Sequence, residues 1–195
     1  MSGRKIKTVG NNTKLVSKWA LSLLLFCIIS ISCSQEEANP LHQYASQGNV
    51  DEIKRLLSSG VNIDEKNKRG FTSLHLAAIE GHEDIVRILT KNGTEVNAKA
   101  NFGDTALHIA AGNGHKAIVG ILISGGAKIN AENDLRNTPL HRAVNGGYKA
   151  VVGMLIKEGA RINARTKFDD TPLNIAIKTG NTKMISFLKS KGAIK

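Results

Sequence analysis

Four histidines, His42, His75, His108 and His141, stand 33 residues apart, and His82 and His115 repeat the same interval. Imidazoles in this number could hold a zinc ion or move protons. Each of the six, however, occupies a fixed place in a repeating pattern, and a local hydrogen bond is the simpler use. Equivalent side chains in adjacent layers of packed helices sit roughly 10 Å apart, too far to share a zinc ion whose ligand bonds are near ~2 Å. The two cysteines, Cys27 and Cys33, lie in or beside one apolar run. No thiol downstream can pair with them, so a disulfide framework and a Cys-based zinc site are excluded for the body of the chain. The acidic pair Asp169-Asp170 falls in a turn, where a solvated or capping role is expected. Gly125-Gly126 and Gly146-Gly147 end repeats, and no Walker or dinucleotide pattern is present. No nucleophile has a base at useful spacing. The sequence therefore reads as a non-enzyme with no cofactor and no metal.

The elements that position these residues begin with a leader. Arg4, Lys5, Lys7, Lys14 and Lys18 precede the uncharged stretch WALSLLLFCIISIS, residues 19–32. That stretch is shorter than the roughly 20 residues that span a bilayer. A basic region followed by a short apolar run is the pattern of a secretory signal, and an uncleaved anchor is the alternative. The formal net charge of +11 divides accordingly. Five of the basic residues belong to residues 1–32, and from Cys33 onward 22 basic residues face 16 acidic ones. This excess is spread along the chain with no aromatic stacking platform, so no specific nucleic-acid binding is expected.

From Asn39 onward the chain repeats itself every 33 residues without an insertion. Leu41, Leu74, Leu107, Leu140 and Leu173 form one column. Gly48, Gly81, Gly114, Gly147 and Gly180 form another, and Gly60, Gly93, Gly126, Gly159 and Gly192 a third. Thr72, Thr105, Thr138 and Thr171, with Asn39 in the first unit, are placed to cap a helix. Pro40, Pro139 and Pro172 follow the cap, at the position where a missing N–H costs nothing. The Gly48 column ends this short helix with a left-handed residue. A second helix carries Ile85, Val86, Ile88 and Leu89 at helical spacing and ends at the Gly60 column. The pairs Ala77-Ala78 and Ala110-Ala111 permit close helix packing. No unit can bury its apolar face alone, and stacking does so. Glu52 and Arg55 replace the Ile85 and Ile88 of inner units, and Lys189 replaces Leu57, Thr90, Ile123 and Ile156, as soluble ends require.

Two family resemblances follow. TPLHRA at 138–143, TALHIA at 105–110 and TSLHLA at 72–77 resemble the T-P-L-H-x-A signature of the ankyrin repeat. The resemblance covers residues 39–195, in units 39–71, 72–104, 105–137, 138–170 and 171–195. It implies an all-α repeat solenoid in which two antiparallel helices and a β-hairpin finger recur, with each motif histidine hydrogen-bonded to its capping threonine and neighbouring turns. Ser30-Ile31-Ser32-Cys33 resembles the lipobox of bacterial lipoproteins, with Ser30 where that family usually has Leu. Cys27 has Leu24 at the corresponding place, but Phe26 is large for the residue before the cut. The resemblance implies cleavage after residue 32, a lipidated Cys33 as mature N-terminus, a polar tether over 33–38, and a location in the bacterial cell envelope. Two or more acyl chains hold a protein stably on a membrane.

The ankyrin resemblance further implies binding of another protein through the finger tips and the concave first-helix face. The finger column is Arg69, Phe102, Leu135 and Phe168, with Lys68, Asn101, Asp134 and Lys167 beside it. The two phenylalanines either stand exposed as anchors or pack on the adjacent finger. Arg142 replaces Leu76, Ile109 and Ile175 inside the motif, as a charge on the concave face or as a structural side chain. Arg136 and Asp169 take the place of Gly70 and Gly103 and leave the finger geometry open there. The expected protein is a monomeric, membrane-tethered scaffold. The alternative is an inhibitor or immunity factor that masks one envelope enzyme or toxin.

Overall fold

The computed structural model describes residues 39–194. The leader at 1–32, Cys33 and the tether at 33–38 lie outside the described residues. A compact unit begins at Asn39. Among the described residues ten α-helices follow one another in five pairs: α1 Pro40–Gln47 with α2 Val50–Ser58, α3 Ser73–Glu80 with α4 Glu83–Lys91, α5 Ala106–Asn113 with α6 Lys116–Ser124, α7 Pro139–Asn145 with α8 Lys149–Lys157, and α9 Pro172–Lys178 with α10 Thr182–Ser190.

The ends of these helices are set by local chemistry. Asn39 Oδ1 accepts from the amide of Leu41, and Thr171 Oγ1 from that of Asn174. Asn49 and Asn181 cap α2 and α10 by accepting from Glu52 and Met184. Prolines stand in the first turn of α1, α7 and α9. Glycines with positive φ close the helices. Gly81 (φ 84°) and Gly114 (φ 80°) also lie against a ring of the next pair. A Cβ on Gly81 would stand 2.9 Å from the His115 ring, and one on Gly114 2.4 Å from that of Tyr148. Only hydrogen fits at these two positions, on both conformational and steric grounds.

Packing arranges the helices in two layers. The first helices bury Leu74, Ala77, Ala78, Leu107, Ala110, Ala111, Leu140 and Ala143. They pack more closely on one another than the second helices do, because alanine lets the backbones approach. The second helices turn Ile85, Val86, Leu89, Ile118, Val119 and Leu122 inward, each full burial of such a side chain stabilising by about 1.5–3 kcal/mol. At the first pair the stack ends in a charged face, where Glu52 and Arg55 form an exposed ion pair at 2.6 Å. A periodic clasp joins successive units. Asn97 Oδ1 accepts from the Lys128 amide while its Nδ2 donates to the Gly126 carbonyl, and Asn130 repeats both bonds with Arg161 and Gly159.

The fingers differ from the implied β-hairpin. Each is a tight turn closed by two backbone bonds: the Asn67 amide donates to the Phe71 carbonyl and the Gly70 amide to that of Asn67, and the pattern recurs at 100–104, 133–137 and 166–170. Neighbouring fingers share a backbone bond, from Asn101 to Arg69, Asp134 to Phe102 and Lys167 to Leu135. So sparse a ladder forms no strand, and no strand is found among the described residues. The turn survives the loss of glycine: Arg136 and Asp169 hold φ of 56° and 63° at the positions of Gly70 and Gly103. No described helix is long and apolar enough to cross a membrane.

Candidate binding surface

The motif histidines are structural. Nδ1 of His108 accepts from the Thr105 amide at 3.2 Å and lies 2.9 Å from Thr105 Oγ1. An accepting Nδ1 leaves the proton on Nε2, which faces the Asn137 carbonyl at 3.0 Å. His141 is held in the same way between Thr138 and the Ala164 carbonyl. His42 reaches the Glu65 carbonyl. His82 and His115 reach back to the carbonyls of Ser46 and Ile79. Burial disfavours the charged ring and holds His108 and His141 below the ordinary histidine range, against the opposing pull of those carbonyls.

His75 departs from this pattern. Its Nδ1 meets Thr72 as the others do, but its buried Nε2 has no hydrogen-bond partner. Burial lowers its pKa to about 4, opposed by the nearby backbone of Asp104 and Ala98. The finger that should supply its acceptor is irregular. In three fingers a side chain organises the turn: Asn67 Oδ1 accepts from the amides of Arg69 and Phe71, Asn133 Oδ1 from Leu135 and Asn137, and Thr166 Oγ1 from Phe168 and Asp170. Ala100 holds that place in the fourth and has no acceptor. There Phe102 adopts φ 71°, ψ 7°, a left-handed conformation unfavourable for a bulky side chain.

The expected finger column lies at the surface. Phe102 is 80% exposed, Phe168 72% and Leu135 45%. The two phenylalanines therefore do not pack on adjacent fingers. Arg69 is also exposed, with its guanidinium 5.2 Å from the centre of the Phe71 ring in its own finger. Lys68 and Lys167 stand exposed beside the tips.

Arg142 is tied down. It forms an ion pair with Asp104, whose other oxygen accepts from Asn133 Nδ2 at 2.7 Å. Asp104, at the end of unit 72–104, thus links the base of its finger to α7, two units on, and to the turn-forming Asn133 of the unit between. The Arg142 side chain stays partly exposed, and its Nε is buried without a partner. Phe102, Asp104 and Arg142 line a groove of about 370 Å³ between finger and first helices, whose walls include Phe71, Ile79 and Ile109. Asp104 is the residue that sequence reading missed. Its column holds Phe71, Asn137 and Asp170, so no periodicity marks it. Asp170 pairs with Lys178 of α9, in the following unit, at 2.6 Å, and Asp169 pairs with Arg165 within its own unit.

Stacked helix pairs, capped alike and joined by tight fingers, define a solenoid repeat protein with an exposed row of finger tips. A family model of ankyrin repeats, in three copies, matches residues 15–100 and 95–166. The chain belongs to the ankyrin repeat family, whose members generally act as non-enzymatic scaffolds for protein–protein contact. No curated protein matches the chain.

Proposed function

We propose that this chain is an exported scaffold of five ankyrin repeats that binds another protein and performs no catalysis. Cys33, lipidated, is the mature N-terminus, and residues 34–38 tether the repeats to the bacterial envelope membrane. The exposed pair Phe102 and Phe168 carries the binding reading. Apolar anchors with a polar rim are the usual form of an interaction hot spot. Each ring buried in a partner contributes about 1.5–3 kcal/mol. Arg69 and Leu135 extend the row, and Lys68 and Lys167 set its rim. Arg142 offers the free part of its guanidinium to the same partner across the groove. The tether reading is supported by the basic leader, the short apolar run and the absence of any cysteine after Cys33.

Two measurements test it. Mass spectrometry of the mature N-terminus should find acyl chains on Cys33. An intact Met1 or an unmodified Cys33 contradicts the tether. Cross-linked complexes recovered from envelope membranes should contain a partner that Phe102→Ala/Phe168→Ala loses. Identical recovery by that variant contradicts the binding surface.

A further inference from the structure

The charge of the repeat unit is not evenly spread. Residues 39–137 hold eleven Lys and Arg against eleven Asp and Glu. Residues 138–195 hold eleven against three. Two of those three acids, Asp169 and Asp170, are already engaged by Arg165 and Lys178. Three of the eleven cations, Lys149, Lys183 and Lys191, stand around one ring where α8 faces α10.

There the Phe187 ring is half-buried and flanked by two ammonium groups. Lys149 Nζ lies 5.0 Å from the ring centre and Lys191 Nζ 5.8 Å. The ring attracts both cations. Lys149 and Lys183, with Thr182, Ser186 and Ser190, line a groove of about 470 Å³ over this ring. Ser186 donates to the Thr182 carbonyl and Ser190 to that of Phe187, so the ammonium groups and the Thr182 hydroxyl are the donors left to a visitor. No ion pair engages Lys149, Lys183 or Lys191 among the described residues. Lys149 and Lys183 also stand in the first turns of α8 and α10, where the helix dipole repels a cation. The first turns of α2 and α4 carry Asp51, Glu52, Glu83 and Asp84 instead. The lysines are thus locally unfavourable in the isolated fold and become favourable when an anion covers them.

We infer that this outer groove docks a carboxylate-rich segment of a protein partner, as a second contact surface separate from the finger tips. Charge complementarity selects the occupant. The ring is half-buried and flanked by two ammonium groups, so it neither enters an acyl layer nor stacks on a base. Lysine offers point charges rather than the planar fork that suits phosphate. Carboxylates on a flexible segment match a row of such charges.

The test uses the full chain and a fluorescently labelled oligoglutamate peptide, with anisotropy read at low and at physiological ionic strength. The wild type should bind, more weakly as salt rises. Lys149→Glu/Lys183→Glu/Lys191→Glu should weaken binding about tenfold or more. The corresponding Gln triple should weaken it with the fold intact by circular dichroism, and the Arg triple should retain it. Lys54→Glu/Lys91→Glu/Lys128→Glu, an equal change of charge elsewhere, should leave it unchanged, as should Phe102→Ala/Phe168→Ala. Absence of binding, or equal loss in either control, overturns the proposal. So does tighter binding to phosphatidylglycerol vesicles or to a single-stranded oligonucleotide than to the peptide.

Discussion

Phe102 adopts a left-handed backbone in the finger whose residue 100 is alanine. Asn67, Asn133 and Thr166 each accept two amide protons from the turn they begin. Ala100 accepts none, and the amide two residues on is left without that anchor. The exposed Phe102 side chain therefore sits on a strained peptide, and the buried Nε2 of His75 has no hydrogen-bond partner.

Ala100→Asn should stabilise the protein. It restores the side-chain acceptor, worth about 0.5–1.5 kcal/mol, and releases the left-handed strain of Phe102, about 1–2 kcal/mol. Urea denaturation checks this. An unchanged or lowered midpoint would mean that the turn is set by something other than residue 100.

Phe102→Gly should separate stability from binding. Glycine accepts φ 71° without steric cost, and the lost ring makes little contact with the fold. The variant should melt no lower than the wild type while binding its partner at least tenfold more weakly, by loss of about 1.5–3 kcal/mol of apolar burial. Paired thermal melts and affinity measurements decide it, and a large fall in melting temperature would assign Phe102 to packing instead.

Asp104→Ala should cost more than Arg142→Ala. The first leaves both Arg142 and Asn133 without their partner, and a partly buried group so orphaned costs about 1–3 kcal/mol. The second leaves Asp104 still bonded to Asn133. The double variant should destabilise by less than the sum of the two. Denaturant midpoints for the three variants form the cycle, and strict additivity would show that the pair does not interact in solution.

Acid should loosen the stack before carboxylates titrate fully. The pKa of His75 falls from about 6.5 to about 4 on folding, and those of His108 and His141 fall with it. A depressed histidine pKa means that the unfolded chain takes up the proton first. The stabilisation is therefore complete above the unfolded value, declines as pH falls from about 6.5, and for His75 is spent near about 4. His75 alone contributes a loss on the order of 3 kcal/mol by that point. Stability measured across this range should fall, and His75→Gln should flatten the decline. A flat profile in the wild type would rule out neutral buried rings.

Much of the fold was legible because stacking demands periodicity. The leucine, threonine and glycine columns had to recur for each layer to bury the next, and every helix lies where they place it. The fingers were less legible. The hairpin implied by resemblance shortens to a turn because neighbouring tips share so few backbone bonds. Departures from periodicity mark the candidate site, and these read poorly. The ion pair between Asp104 and Arg142 spans 38 positions and breaks both residues' columns. The consequence of Ala100 was open to view in its column of Asn67, Asn133 and Thr166, but only the turn's hydrogen bonds reveal what that column does. The basic excess is spread along the chain, and only folding brings Lys149, Lys183 and Lys191 around one ring where α8 meets α10.

The most direct measurement of the finger surface replaces Phe102 with a photo-reactive phenylalanine analogue in the full chain, expressed in its native cells. The same analogue in place of Lys91, exposed on the outer layer, serves as the control. The scaffold reading predicts one dominant protein cross-link from position 102 that is absent from position 91. The same bands from both positions, or none from position 102, would contradict it.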